Sequence, residues 1–319
     1  MKLRFIVSNQ TNPYWNIAVE NYLVSLPETE VVTLYLWKNR RTVVIGQNQN
    51  PFSECNVEAL EADGGYLMRR RTGGGAVYHD DGNINFSFVA PKALYDQGRQ
   101  FRVIQRAVAS FGIEAELSGR NDILTEGRKF SGNAFSKGKY QDLHHGTILI
   151  KGNMEDLQRY LKPKPAKLQK HGVASVKSRV VNLSELNPAI TSESIVPRLR
   201  EAFEAEYGGT AMELAFDETI VRPEVKALYE EFASPEWRYG RWRSFTAQRS
   251  AQFDWGGVDI ALTVDEARGI ITDVQIASDA LDLAALDLVR QKLTGASINE
   301  TPAKSDNPIE RDIYNMLFK

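Results

Sequence analysis

The chain has 319 residues, with 39 Lys and Arg against 41 Asp and Glu and 42% hydrophobic residues, a globular composition long enough for one large or two smaller cores. A formal net charge of −2 argues against a chain built mainly to neutralise nucleic-acid phosphates, and no run approaches the roughly 18 apolar residues of a membrane span. The single cysteine, Cys55, cannot form an intramolecular disulfide, and no Cys/His spacing fits zinc. Polar Asn9 to Asn12 interrupt the N-terminus before a signal-peptide stretch develops, so a cytoplasmic protein is expected.

Asn12-Pro13, followed by Tyr14, Ile17, Ala18 and Tyr22, predicts a capped helix running to about Leu26. The β-branched and aromatic runs Val31 to Trp37 and Thr42 to Ile45 predict two strands joined by the short polar turn Lys38-Asn39-Arg40-Arg41. Tyr66 to Arg69 and Ile84 to Ala90 read as strands flanking a glycine loop, Arg99 to Phe111 as a helix and Ile113 to Leu117 as a strand. Further strands at Asp122 to Thr125, Lys129 to Phe135 and His145 to Ile150 are too closely spaced for crossover helices. The expected fold class is therefore α+β, with a mixed, largely antiparallel sheet.

From Lys162 to Arg179 there are six Lys or Arg and no acid, with Pro163, Pro165 and Gly172 opposing a helix, so a mobile basic loop is expected. Ser192 to Tyr207 returns to helical spacing. Pro235 and Gly240 precede a change of charge, since the chain after Thr246 carries 12 acids against 7 bases. A domain boundary near 246 is expected, giving units 1–245 and 246–319, the second a small α+β domain with a helix from Ala280 to Leu293.

Two stretches can carry chemistry. In Arg69-Arg70-Arg71-Thr72-Gly73-Gly74-Gly75-Ala76-Val77-Tyr78-His79, three glycines allow backbone N–H groups to approach an anion, and guanidiniums supply charge and directional donors. Neither P-loop nor Rossmann glycine spacing is present, and a solvated basic turn has the same composition. In Asn121-Asp122 and Arg128-Lys129-Phe130-Ser131-Gly132-Asn133, a strand lysine beside a small Ser-Gly step can hold an acyl-phosphate oxygen, and Asn and Asp supply oxygens suited to Mg²⁺. Taken alone, a surface lysine on an edge strand and an ordinary Asn-Asp turn are the better reading there. Cys55 sits in a turn, with no nucleophile-elbow motif anywhere in the chain.

Together, the glycine loop through His79-Asp80-Asp81-Gly82-Asn83, the Lys129 stretch and His144-His145-Gly146-Thr147 resemble the lipoate-protein ligase A family in order and spacing. The resemblance covers most of residues 1–245, and the tail resembles the accessory domain of the long bacterial form. It implies a biotinyl/lipoyl-ligase-type core that turns lipoate and MgATP into lipoyl-adenylate and pyrophosphate. The acyl group then passes to a lysine of apo lipoyl domains, those of 2-oxoacid dehydrogenase complexes or the glycine-cleavage H protein, with neither nucleic acid nor membrane as partner.

By that resemblance Lys129 is the electrostatic catalyst, bridging acyl carbonyl and phosphate. Arg70 and Thr72, Gly73, Gly74 and Gly75 would enclose the carboxylate and adenylate phosphate, and the backbone of Ala76, Val77 and Tyr78 would meet adenine. His79, Ser131, Gly132 and His145 would line the pocket, Asn121 and Asp122 would face Mg²⁺, and the basic loop with Lys177 and Arg179 would close on the adenylate. Two positions depart from the family pattern: Thr72 stands where Ser is frequent, and Ser136 where an Arg often follows the aromatic. Octanoyltransferases and biotin ligases of the same superfamily, and a binding protein without turnover, are the competing expectations.

Overall fold

The computed structural model describes residues 1–119, 121–162, 180–239, 247–265, 270–297 and 305–318. Its strands in chain order are β1 (Lys2–Val7), β2 (Val31–Trp37), β3 (Thr42–Ile45), β4 (Tyr66–Arg69), β5 (Val77–His79), β6 (Asn83–Pro91) and β7 (Glu116–Ser118), then β8 (Asp122–Thr125), β9 (Arg128–Lys137), β10 (Gln141–Leu149), β11 (Ala211–Glu213), β12 (Ala247–Phe253), β13 (Gly256–Asp265) and β14 (Ile270–Ser278). Eight of them form the central sheet in the order β11-β1-β2-β6-β10-β9-β8-β7. The pairs of β1 with β11 and β2 are parallel, and from β2 to β7 all neighbours are antiparallel. The sheet is thus mixed and largely antiparallel, as the short strand spacing implies.

Strand β6 shows why this sheet has two unlike faces. Its sequence Asn83-Ile84-Asn85-Phe86-Ser87-Phe88-Val89 alternates, yet every residue is buried. Side chains two apart share a face, so Ile84, Phe86 and Phe88 enter the main core against helices Gln97–Ala109 and Ser192–Tyr207. Asn83, Asn85 and Ser87 face the opposite side, beneath helix Pro13–Ser25. That helix begins as its sequence predicts, with the Asn12 side chain accepting from Tyr14 N–H at 2.9 Å and Pro13 in the first turn.

The strands expected at Val31 to Trp37 and Thr42 to Ile45 form with those bounds but lie in different sheets: β3 joins a separate three-stranded sheet in the order β4-β3-β5. The intervening turn is tied elsewhere, with Asn39 fully buried, Arg40 N–H bonded to Thr11 C=O at 2.9 Å and Arg41 at positive φ, and this redirects the chain. The strand expected at Ile113 starts at Glu116, because Gly112 at φ +76° turns the chain back so that Ile113 N–H bonds Val108 C=O. The helix expected from Ala280 starts at Leu283, where the Asp282 side chain caps Ala285 N–H. Strands β1 and β5 were not anticipated from the sequence.

The C-terminal residues form an antiparallel β12-β13-β14 meander covered by helices Leu283–Leu293 and Pro308–Phe318, with its own core around Ile260, Ile276, Leu286 and Ile313. It meets the rest of the chain through backbone: Gly74 N–H bonds Ala280 C=O at 3.1 Å and Ser278 N–H bonds Asn48 C=O at 2.9 Å. The linker at 240–246 lies outside the described residues.

Packing between β6 and β10 leaves no room at Gly146, where a Cβ would stand 2.5 Å from both the Phe86 ring and Asn133 Oδ1. Gly146→Ala is therefore expected to destabilise the fold by about 1–3 kcal/mol. Thermal denaturation checks this, and an unchanged midpoint would contradict the packing described.

Candidate active site

Between the central sheet and the small β4-β3-β5 sheet lies a cavity of about 300 Å³. Its floor is set by register: Trp37 on β2 pairs with Asn85 on β6, Asn85 with Thr147 on β10, and Gly132 N–H on β9 bonds the Thr147 hydroxyl at 3.2 Å. This row crosses three strand spacings, about 14 Å. Beside it runs a second row, Tyr35, Ser87, His145 and Ala134. Val44, Val77 and His79 of the small sheet, Ile17 of the first helix and the glycine loop close the cavity from above.

A chain of buried hydrogen bonds joins these walls. Trp37 Nε1–H donates to Ser87 Oγ at 2.9 Å, and Ser87 donates to Glu20 Oε2 at 2.5 Å. The same carboxylate oxygen lies 2.8 Å from His145 Nδ1, and His145 Nε2 lies 2.9 Å from Thr72 Oγ1, which accepts from Arg70 Nε–H at 3.0 Å. With Nδ1–H donating to Glu20, Nε2 is left to accept the Thr72 proton, so every group has a partner. Thr72 therefore keeps the hydroxyl that the family's Ser would supply, but spends it inside the protein.

Arg70 is committed inward as well. Its Nη2 donates to Gly73 and Gly75 C=O at 2.7 and 2.8 Å and its Nη1 to Val44 C=O at 3.2 Å, which leaves one Nη1–H of its five donors for the cavity. Burial lowers the guanidinium to about 10, so it remains cationic at neutral pH. Its main work is to lace the glycine loop into shape, with Gly74 at φ +94°. Gly73 packs directly against the C-terminal unit, since a Cβ there would collide with Ala280 C=O. Through that contact Asp279 and Leu281 complete the cavity wall.

At the β9 end, a bulge sets the geometry. Ile123 pairs with Ser131 but Leu124 pairs with Lys129, so Phe130 is the extra residue. One extra residue reverses the alternation, bringing Lys129 to the cavity face together with Gly132 and Ala134. Lys129 Nζ lies 2.7 Å from Asp122 Oδ1, both side chains about one-third exposed. Gly132 makes room for that ammonium, as a Cβ would stand 2.8 Å from Nζ. Asn121 is fixed by reciprocal bonds with Asn133, its amide donating to Asn133 C=O and its own carbonyl accepting from Asn133 Nδ2 at 3.0 Å.

The structure thus brings Arg70, Gly74, Gly75, Ala76, Val77 and His79 to one cavity with Asn121, Asp122, Lys129, Gly132 and His145. Thr72, Gly73, Tyr78 and Ser131 lie outside its lining. Tyr78 alternates away from Val77 and His79, packing on Tyr160 and donating to Asp156 at 3.2 Å, while Ser131 is buried beneath Asn133. Lys177, Arg179 and the basic loop at 163–179 lie outside the described residues. The chain returns at Val180, bridged to Lys129, with Val181 N–H on Lys129 C=O at 3.0 Å.

Glu20, Trp37, Asn85 and Ser87 were not picked out from the sequence. The polar alternation in buried β6 was the available signal. Cys55 is fully buried among Val43, Leu60 and Leu67, away from the cavity lining, and burial pushes its thiol up to about 12, which removes the thiolate a covalent mechanism needs.

Two histidines are held uncharged by burial. His79 is lowered to about 3 by desolvation, with smaller contributions from Arg70 and His145, and His144, packed among Phe86, Phe101 and Phe135, lies well below 6.5 for the same leading reason. The unfolded chain takes up these protons near pH 6.5, whereas the native chain resists them. Their stabilisation is accordingly complete above about pH 6.5 and is lost as the pH falls towards 3. Urea midpoints measured from pH 7.5 to 5 should fall, and a flat profile would contradict this reading.

The chain matches the family model "Lipoyl protein ligase A/B catalytic domain" over residues 12–204 and "Bacterial lipoate protein ligase C-terminus" over residues 243–303. It is 40% identical over 312 residues to the lipoate-protein ligase A of Psychrobacter cryohalolentis, covering 96% of this chain and 91% of that one. Among solved structures it superposes on lipoate-bound LipL1 of P. falciparum with a TM-score of 0.86 at 30% identity, covering 99% of each chain. It superposes on an ATP-bound lipoate-protein ligase A at 0.64 and 22% identity, covering 75% of this chain and 99% of that one. By the family model over residues 12–204 and the 40% identity across almost the whole chain, the chain belongs to the lipoate-protein ligase A family.

Proposed function

We infer that this chain is an ATP-dependent lipoate ligase. It joins the carboxylate of lipoate to AMP with release of pyrophosphate, then transfers the lipoyl group to a lysine amine of an apo lipoyl domain. The carrying observation is that one cavity gathers the apolar side chains of Ile17, Trp37, Val44 and Val77 together with the cations Arg70 and Lys129. An amphipathic acid suits that lining.

In the first step a carboxylate oxygen attacks the α-phosphorus and the bond to pyrophosphate breaks. Negative charge grows on the phosphate and leaving oxygens, and Lys129 would stabilise it from the position now facing Asp122, as a point charge rather than a nucleophile. The uncommitted Arg70 Nη1–H and the glycine-loop amides would orient the carboxylate. Strand β5 is the edge of its sheet, so the backbone of Ala76, Val77 and Tyr78 has a side available for adenine. In the second step the acceptor amine attacks the acyl carbon, AMP leaves, and the amine loses a proton to form the amide.

Among the described residues no cluster of three or more His, Cys, Asp or Glu exists, which suits Mg²⁺ carried chiefly by phosphate oxygens and water. Asp122 and the Asn121 carboxamide oxygen are the oxygen donors beside Lys129 that would hold it, and the ion when bound would screen the triphosphate charge. We assign residues 1–245 as the catalytic unit and 246–319 as an accessory unit that closes the cavity through Asp279 and Leu281. Lipoyl domains of 2-oxoacid dehydrogenase complexes and the glycine-cleavage H protein are the acceptors. No helix among the described residues is long and apolar enough to cross a membrane.

Lys129→Ala should reduce lipoate-dependent pyrophosphate release about a hundredfold or more. Stability should change little, because an exposed ion pair contributes about 0–1 kcal/mol. Unaltered pyrophosphate release from the folded variant would remove Lys129 from the mechanism.

A further inference from the structure

At the Trp37 end of the cavity, His79 has an orphaned polar atom. The side chain is buried, it meets the Trp37 ring edge-on at 6.1 Å, the residue lines the cavity, and its buried Nε2 has no hydrogen-bond partner. Which of the two ring nitrogens carries the proton follows from its neighbours. Asn16 Nδ2 faces the carbonyl oxygens of Lys38 at 2.8 Å and Gln10 at 3.2 Å, and Asn16 Oδ1 receives the Tyr35 hydroxyl at 3.1 Å. That fixes the Asn16 amide, so the Asn39 atom 3.0 Å from Asn16 Nδ2 is its oxygen. Asn39 Nδ2 therefore donates to His79 Nδ1, at 3.2 Å. Burial keeps the imidazole uncharged, so its one proton sits on Nε2, the atom left without a partner.

We propose that His79 is a specificity-determining residue: its Nε2–H donates to a sulfur of the dithiolane ring and distinguishes lipoate from the equally long octanoate, with Asn39 and Asn16 as positioning residues. The inference rests on the ligase reading above. The distance supports it: His145, beneath Thr72 and Arg70, and Trp37 are two strand spacings across and two residues along the sheet from each other, about 12 Å, close to the reach of an extended eight-carbon acid anchored by its carboxylate. A thioether-type sulfur is a weak acceptor that also packs well against an aromatic face. An alkyl terminus in the same place satisfies nothing and leaves a buried N–H without a partner, which disfavours it. Asn85, on the adjacent strand, accepts from Asn83 and is held by one Nδ2–H on the Trp37 carbonyl, whereas His79 Nε2 has no partner at all, so we assign the discrimination to His79.

The test is calorimetric titration of lipoate and of octanoate into the full chain and into His79→Phe, which keeps an aromatic ring and removes the donor. The wild type should bind lipoate about tenfold more tightly than octanoate, and the variant should lose that gap by weakening lipoate alone. Equal weakening of both acids, or a gap that survives, overturns the inference and leaves the ligase reading standing. Failure of the wild type to bind either acid, with or without ATP, overturns both. A second measurement needs no variant: in wild-type protein with ¹⁵N-labelled histidine, the His79 Nε2–H resonance should shift on adding lipoate and not octanoate. Identical responses to the two acids would overturn the proposal.

Discussion

Glu20 reaches from the first helix into the centre of the protein and holds two strands and a loop in one arrangement. Its carboxylate accepts from Ser87 on β6 and from His145 on β10, and His145 passes the connection through Thr72 to Arg70. A buried carboxylate stripped of such donors would be strongly destabilising, so the helix, the sheet and the glycine loop are constrained together. Arg70 then spends three donors on glycine-loop and β3 carbonyls, which gives a flexible triglycine a defined shape. The cavity surface is organised largely from behind, by Glu20, Ser87 and Thr72, which lie outside its lining.

The same economy appears at Lys129. Its placement depends on a bulge at Phe130, on the absence of a side chain at Gly132 and on the anchoring of Asn121 by Asn133. Asn133 is in turn held by His144, whose Nε2 lies 2.9 Å from Asn133 Oδ1. Asn133 Nδ2 already donates to Asn121 C=O and Ser131, so His144 must donate from Nε2 and accept at Nδ1 from the Gln100 amide. Turning that amide also gives the buried Gln100 nitrogen a partner, which it lacks when its oxygen faces His144. Core histidine, strand bulge and Lys129 form one assembly. The C-terminal unit adds the last wall, by backbone contacts that a side chain at Gly73 would prevent.

Much of this was legible in the residues. The Asn12-Pro13 helix start and the short-spaced strands follow from local patterns, the shared place of the glycine loop, Lys129 and His145 follows from the family resemblance, and each appears in the structure. What escaped was non-local. Nothing in Thr42 to Ile45 states that it leaves Trp37 for another sheet, because the decision lies in Asn39 bonding to Asn16. Thr72 and Tyr78 sit within the most informative motif yet turn inward, since a three-residue strand alternates faces and the loop hydroxyl is needed by His145. Glu20 reads as an ordinary helix acid until β6 and β10 are brought beneath it.

The central claim, ATP-driven transfer of a lipoyl group, is tested most directly by the intact mass of an apo lipoyl domain incubated with this protein, lipoate and MgATP, beside controls without ATP and with octanoyl-carrier protein as donor. The account predicts a single lipoyl adduct on the acceptor lysine that requires ATP. An acceptor that stays unmodified, or one that gains an octanoyl group without ATP, would contradict it.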